Sequence, residues 1–311
     1  MGGKPSKYLT PEPPKITKTH IDIHKCIYKK PTRKDIAVGL VHFNPSGSKR
    51  LLMNYLYTVE KLRLADIPTY TIELVFSEPE IKDAYHVYGQ SMLFHKERLC
   101  TLLEKRIPWR FSKILFMDAD IVFSNPFWYA ELSKALDSHQ VVHPFSTACW
   151  LDITYKEVLD ERLSVVFMDR TRIYDPAYHP GFAWAFQRKW FRRKGFYEYC
   201  ITGSGDTLST AAWLGVLFTP SYLKKSLVKS YTKYRANAHP SITCISGTIY
   251  HLWHGTRANR KYVERHSILD TIQNVEDIVT KNRWGVFELT DTVVNEKLKS
   301  YFIEREDDMV A

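Results

Sequence analysis

Apolar residues along the first half of the chain change their spacing in a regular order. Ile36–Phe43 is a short apolar run ending at Asn44-Pro45-Ser46-Gly47-Ser48, a turn with a serine placed to cap a helix. Leu51, Leu52, Tyr55, Leu56, Val59 and Leu62 then recur at helical spacing. Residues 69–76, rich in β-branched and aromatic side chains, predict a second strand. Residues 93–104 carry another helical stripe through Leu99, Leu102 and Leu103, residues 114–117 a third buried strand, and residues 127–136 a third helix. Strand, helix, strand, helix, strand predicts an α/β fold with a mostly parallel central sheet and helices on both faces. In such sheets the ligand crevice lies beyond the carboxyl ends of the strands, here residues 42–46, 73–78 and 118–120.

Beyond residue 140 the order is less regular, with a polar, charged stretch at 152–175 and a block of short elements to about residue 250. The tail holds Trp284-Gly285-Val286-Phe287 and a charged helical run over 294–305. With 311 residues, 44% of them hydrophobic and 14% aromatic, the chain suits one large domain or one domain with an appendage, and a wholly disordered chain is excluded. No segment approaches the roughly 18 uninterrupted apolar residues of a membrane span. The first thirty residues lack a signal peptide's apolar stretch, so a soluble, cytoplasmic protein is expected.

Residues 1–34 read as an extended, basic arm rich in Lys, Pro and Thr. Its start, Met1-Gly2-Gly3-Lys4-Pro5-Ser6, fits the N-myristoylation pattern, which with the basic arm gives peripheral contact at the cytoplasmic face of a membrane. A chance match or a cloning remnant accounts for that start as well. The formal charge of +10 attracts polyanions, but neither the arm nor the basic run Arg188–Lys194 resembles a nucleic-acid-binding module, and phosphorylated substrates remain. Five scattered cysteines without a CxxC pair are expected to be reduced thiols.

The sharpest feature is Lys113-Ile114-Leu115-Phe116-Met117-Asp118-Ala119-Asp120, an apolar strand running straight into two carboxylates. On an extended chain, positions i and i+2 point the same way, so Asp118 and Asp120 are expected to converge on one cation. Like charges so close raise each other's pKa unless a cation sits between them, and oxygen ligands suit Mg²⁺ or Mn²⁺. A bare Asp-x-Asp is more often a turn. The hydrophobic strand before it and Ser124-Asn125-Pro126-Phe127 after it tip the expectation to metal.

In this setting Asp118-Ala119-Asp120 resembles the DxD motif of GT-A glycosyltransferases, where it holds the metal that grips the donor diphosphate. Residues 90–103 resemble the helix beside that family's nucleotide pocket. The likeness spans about residues 36–260, with the strand and DxD its specific part. It implies a Rossmann-like GT-A domain over 35–260, with a nucleotide-binding half at 35–125, an acceptor half at 140–260, and a C-terminal helical extension at 261–311. Ala119 then lies beside the donor sugar.

Residues 179–186, followed by Gly195-Phe196-Tyr197 and Gly203-Ser204-Gly205-Asp206, are similar to the region of galactosyl- and N-acetylgalactosaminyltransferases that closes over the sugar and presents an acid to the acceptor. By that likeness Gly181 and Gly205 border the sugar and acceptor, Trp184 stacks on a sugar face, and Asp206 is the general base. A plain helix cap is the alternative for Asp206. The family's acidic motif usually holds two or three acids, where this chain has one.

Many members of the family supply a late histidine as third metal ligand, here His251 or His254. The two cannot share a face of a strict strand, so one is expected to bind, His251 ahead because the family's histidine lies a few residues before a glycine. Imidazole beside carboxylates favours Mn²⁺ by ligand type. Arg257, Arg260 and Lys261 read as diphosphate clamps or as a solvated basic face. Phe43, Asn44 and Glu73, at strand ends, are placed in the base and ribose pocket.

The resemblance thus implies sugar transfer from a nucleotide-sugar, a UDP-sugar ahead of a GDP-sugar, to a glycan or other hydroxyl acceptor, with Mn²⁺ or Mg²⁺ and no nucleic acid as partner. Inversion follows if Asp206 is the base. A sugar-nucleotide pyrophosphorylase is the alternative enzyme, although residues 44–50 are poor in the glycine its phosphate loop needs. An inactive glycan- or nucleic-acid-binding module is the alternative outside enzymes.

Overall fold

The computed structural model describes residues 20–167, 175–216, 223–256 and 258–308. In chain order the strands are β1 (Ile36–Phe43), β2 (Thr69–Val75), β3 (Tyr85–Tyr88), β4 (Lys113–Met117), β5 (Ile121–Phe123), β6 (Val141–His143) and β7 (Thr147–Leu151). They continue with β8 (Val158–Ser164), β9 (Tyr178–His179), β10 (Ala183–Gln187), β11 (Ile242–Cys244), β12 (Thr248–His251), β13 (Val279–Lys281) and β14 (Phe287–Leu289). The helices are α1 (Lys49–Leu64), α2 (Lys96–Glu104), α3 (Trp128–Ser138), α4 (Arg188–Lys194), α5 (Gly205–Leu214), α6 (Val228–Arg235) and α7 (Thr292–Glu304).

The main sheet runs β11-β6-β10-β4-β1-β2-β3. Its neighbours are parallel except at β10, which is antiparallel to both β4 and β6. The period of two in β1 and β4 explains how both faces are covered. Ala37, Ile114 and Phe116 point into a core shared with Leu99, Leu102 and Leu103 of α2. Ile36, Val38, Leu40, Leu115 and Met117 point into a second core with Tyr55 and Leu62 of α1 and Trp128, Leu132 and Leu136 of α3. Each such aliphatic side chain, fully buried, stabilises the fold by about 1.5–3 kcal/mol in transfer terms. The expected α/β fold, with a mostly parallel sheet and helices on both faces, is the observed one.

Three departures from the sequence reading have local causes. The second helix begins at Lys96, because Phe94 donates its backbone N–H to Ile201 O outside any helix. The short strand β3, too polar to stand out, is held by parallel pairing with β2. Part of the charged stretch after residue 152 is β8, paired antiparallel with β7. The basic run at α4 also contains a buried side chain rather than a wholly solvated face. Arg188 donates to Glu104 Oε1 at 2.5 Å and to the carbonyls of Pro108, Ile107, Glu104 and Phe111. Replacing it with Met leaves Glu104 and those carbonyls short of donors, and is expected to cost about 3–5 kcal/mol, read as a lower urea midpoint with unchanged slope.

A smaller sheet, β5-β12-β7-β8-β9, sits beside the main one. The chain passes from β4 of the first sheet to β5 of the second through Asp118-Ala119-Asp120 alone. The end of β12 returns to that crossing, with His251 opposite Ile121 and Leu252 N bonded to Asp120 O at 2.8 Å. The tail closes over the carboxyl end of β1: Phe302 of α7 packs edge-on to Phe43 at 5.4 Å, and Asp308 accepts hydrogen bonds from Lys49 N and Arg50 N at the start of α1. Among the described residues no helix is long and apolar enough to cross a membrane.

Candidate functional site

A cavity of about 490 Å³ opens where the two sheets and the tail meet. Asp118, Asp120, His251 and His254 border it from the sheet crossing, Lys96 and Glu97 from α2, and Asp206 from α5. Trp150, Arg162, Tyr178 and His179 contribute from the second sheet, and Arg260, Tyr262, Arg265, Tyr301 and Arg305 from the tail.

The two aspartates of the crossing face different partners. Asp118 Oδ1 forms an ion pair with Lys96 Nζ. Burial pushes the Asp118 carboxyl up to about 6, with Lys96 pulling against it and Asp120 adding to it. Burial also works against the Lys96 charge, but Asp118, Asp206 and Glu97 outweigh it and hold that ammonium above its ordinary pKa. Asp120 instead turns to the histidines. Its Oδ2 lies 2.9 Å from His254 Nε2 and 3.6 Å from His251 Nε2, and the two imidazole nitrogens are 3.2 Å apart. Burial alone would raise the Asp120 pKa, yet His251 and His254 hold it well below the usual carboxylate range. Its other oxygen, Oδ1, is buried without a hydrogen-bond partner.

One histidine was expected to bind; both have a ring nitrogen near Asp120. The strict-strand geometry stops at His251, and the three residues after it leave the sheet, so His254 swings back to the same carboxylate. Asp118, expected to share a cation with Asp120, forms its ion pair with Lys96.

Around this cluster the structure sorts the other residues named from sequence. Arg260 is at the cavity wall, donating from Nη2 to His254 O at 2.8 Å. Lys261 is on the surface in a pair with Glu304 at 2.7 Å. Arg257 and the myristoylation-like start lie outside the described residues. Phe43, Asn44 and Glu73 are not brought to the cavity wall. Phe43 packs on Phe76, His95 and Phe302, and Asn44 folds its own turn through Ser48. Glu73 accepts from the backbone N–H groups of Glu80 and Ile81.

Trp184 is buried rather than presented to a sugar. Its ring stacks on His143 at 4.0 Å, and its indole N–H is given to Pro180 O. Ala119 packs against the second core. Gly181 and Gly205 earn their place by close approach. A Cβ built on Gly181 would fall 2.5 Å from Asp206 Oδ2, and one on Gly205 would fall 2.4 Å from Glu97 Cδ. Asp206 is the second residue of α5, where its Oδ1 accepts from Thr207 N at 2.7 Å. The capping position belongs to Ser204, held in the left-handed region at φ 68°.

Several wall residues were missed from sequence. Lys96 and Glu97 lie inside the helix read as flanking the nucleotide pocket, where an adjacent cation and anion ahead of an apolar stripe was the available signal. Arg265 gave no local signal. It is buried between the rings of Phe94 and Tyr262 and bonded to Tyr301 Oη, and no carboxylate among the described residues pairs with it.

No family model matches the chain, and no curated protein matches it in sequence. Among solved structures, the catalytic domain of Drosophila β1,4-galactosyltransferase 7 in complex with xylobiose aligns at 11% identity over 85% of this chain and 98% of its own, with a TM-score of 0.43. Glucosyl-3-phosphoglycerate synthase from Mycobacterium tuberculosis, in complex with Mg²⁺ and UDP, aligns at 13% identity over 75% and 78%, with a TM-score of 0.34. A putative glucose-1-phosphate thymidylyltransferase from Bacillus anthracis aligns at 11% identity over 80% and 98%, with a TM-score of 0.32. Identity and TM-score are low in all three, and what the site can do follows from its own residues.

Proposed function

We propose that this chain is a metal-dependent glycosyltransferase of the GT-A type, transferring a sugar from a nucleotide-sugar, a UDP-sugar ahead of a GDP-sugar, to a hydroxyl of a glycan acceptor. The observation that carries the proposal is the meeting of Asp120, His251 and His254 at one wall of a cavity that also holds Asp206 and the arginines of the tail.

The three side chains fit a divalent cation. Their ligand atoms lie within 4.8 Å of one another, and the unpartnered Asp120 Oδ1 is the kind of buried acceptor a cation satisfies. Two imidazoles and one carboxylate favour Mn²⁺ over Mg²⁺ by ligand type. When bound, such an ion supplies Lewis-acid neutralisation of the departing diphosphate. Everything else falls to the protein. Arg260 and Arg265 offer planar guanidinium forks that pair bidentately with phosphate oxygens and bring positive charge to the same wall. Asp206 takes the proton of the acceptor hydroxyl as it attacks the anomeric carbon, which inverts the configuration.

Calorimetry tests the donor half directly. UDP is expected to bind the protein when Mn²⁺ is present and to bind at least about tenfold more weakly once EDTA removes it. UDP binding that is indifferent to Mn²⁺ would count against the metal and donor assignments together.

A further inference from the structure

A second group of metal-ligating side chains stands on the main sheet, and none of its members borders the cavity. In the parallel register His42 of β1 is opposite Glu73 of β2, and Glu73 is opposite His86 of β3. Residues paired in this way share a face of the sheet, so the three side chains form one row near the carboxyl ends of the strands. The loop from β2 to β3 folds over that row, because Glu73 accepts from the backbone N–H groups of Glu80 and Ile81 at 2.7 and 3.1 Å. The fold of the loop brings the Glu80 carboxyl to His42, with Oε2 2.7 Å from the imidazole Nε2. Ligand atoms of His42, Glu73 and Glu80 all lie within 4.8 Å of one another. His42 and Glu73 are 4% and 2% exposed, while the Glu80 side chain reaches water at 32%.

We propose that His42, Glu73 and Glu80 form a second metal site, for Zn²⁺, that pins the β2–β3 loop to the sheet. Charge favours a cation there. Among the described residues only imidazoles face the two carboxyl groups: His42 pairs with Glu80 and His86 with Glu73, and no lysine or arginine is within ion-pair distance of either. A divalent ion balances two carboxylates and takes neutral imidazole as its nitrogen ligand. One imidazole with two carboxylates suits Zn²⁺, which such mixed sites hold more tightly than Mn²⁺. Each Glu73 oxygen that accepts an N–H keeps a second lone pair for the ion. Seating it asks for a small opening between His42 and Glu80, since two ligands of a tetrahedral zinc stand about 3.3 Å apart. The partners that orient metal ligands are in place. Asn44 Nδ2 donates to both oxygens of Glu80 at 3.2 and 3.0 Å, and His86 Nε2 is 3.2 Å from Glu73 Oε2. The ring of Tyr55 packs against that of His42 at 5.2 Å. Glu80, the exposed member, gives the ion a way in from water.

Counting zinc tests this without any turnover. A chain carrying Asp120→Ala and His251→Ala, which breaks the cluster at the cavity, is expected to bind one Zn²⁺ by calorimetry and elemental analysis. Adding Glu80→Gln, which keeps a hydrogen-bonding side chain of the same length on the loop, is expected to weaken that binding by about a hundredfold or more. His42→Ala in the same background is expected to do the same, with circular dichroism checking that the fold is kept. Should the doubly changed chain fail to fold, Glu80→Gln alone is read, and the zinc count is expected to fall by one from that of the wild type. No Zn²⁺ on the doubly changed chain, Zn²⁺ held as tightly after Glu80→Gln and His42→Ala, or a wild-type count that Glu80→Gln leaves unmoved overturns the proposal and leaves a hydrogen-bonded row of histidine and glutamate. Failure of the transferase reading changes none of these counts, so the two are distinguished.

Discussion

Replacing Asp120 with alanine is expected to lower kcat for nucleotide-sugar turnover by about 10³-fold or more, because metal assistance is worth several kcal/mol of transition-state stabilisation. The same variant should lose Mn²⁺-dependent nucleotide binding, since the two histidines would keep only nitrogen ligands. Asp118→Ala makes the informative contrast. Asp118 faces Lys96, so its loss is expected to leave more of the Mn²⁺ affinity than the loss of Asp120 does. Steady-state kinetics with calorimetry of both variants would check the pair, and equal losses of Mn²⁺ affinity would mean that the two carboxylates share the ion after all.

The second large effect is expected at Asp206. Asp206→Asn keeps a side-chain oxygen to accept from Thr207 N, so the start of α5 should survive the change. What it removes is the basicity. A loss of about 10²–10⁴-fold in kcat is expected, with the KM for donor nearly unchanged, because the acid–base contribution is made in the transition state. Near-normal transfer would eliminate the base role and, with it, the reason to expect inversion.

The elements that were legible in the sequence are those fixed by local spacing. β1, α1, β2, β4 and α3 each carry a pattern that their own residues determine, and Ser48 caps α1 as its place in the turn foretold, accepting from Leu51 N at 3.1 Å. The crossing at residues 118–120 was legible for the same reason, as an apolar strand that stops at two carboxylates. The rest depended on contacts between distant segments. His254 reaches Asp120 only because β12 ends at His251, a boundary set by pairing with β5 and β7. The Lys96–Asp118 pair joins a helix start to a strand end, and periodicity says nothing of it. Trp184 sits on a strand whose inward face meets His143 of β6, so an aromatic that reads as a sugar platform packs into the core. The tail was read as an extension, and nothing local told that Tyr301 and Arg305 would border the cavity or that Asp308 would cover the turn after β1. That covering, together with the internal bonds of Asn44 and Glu73, is why the strand-end residues are not at the cavity wall.

A donor screen would test the central claim most directly: UDP- and GDP-sugars incubated with the protein and Mn²⁺, beside EDTA and Asp120→Ala controls. Turnover of one donor that disappears in both controls is the predicted result, and it would identify the sugar as well. Turnover of none, with nucleotide binding unaffected by Mn²⁺, would contradict a metal-dependent transferase and leave a binding module in its place.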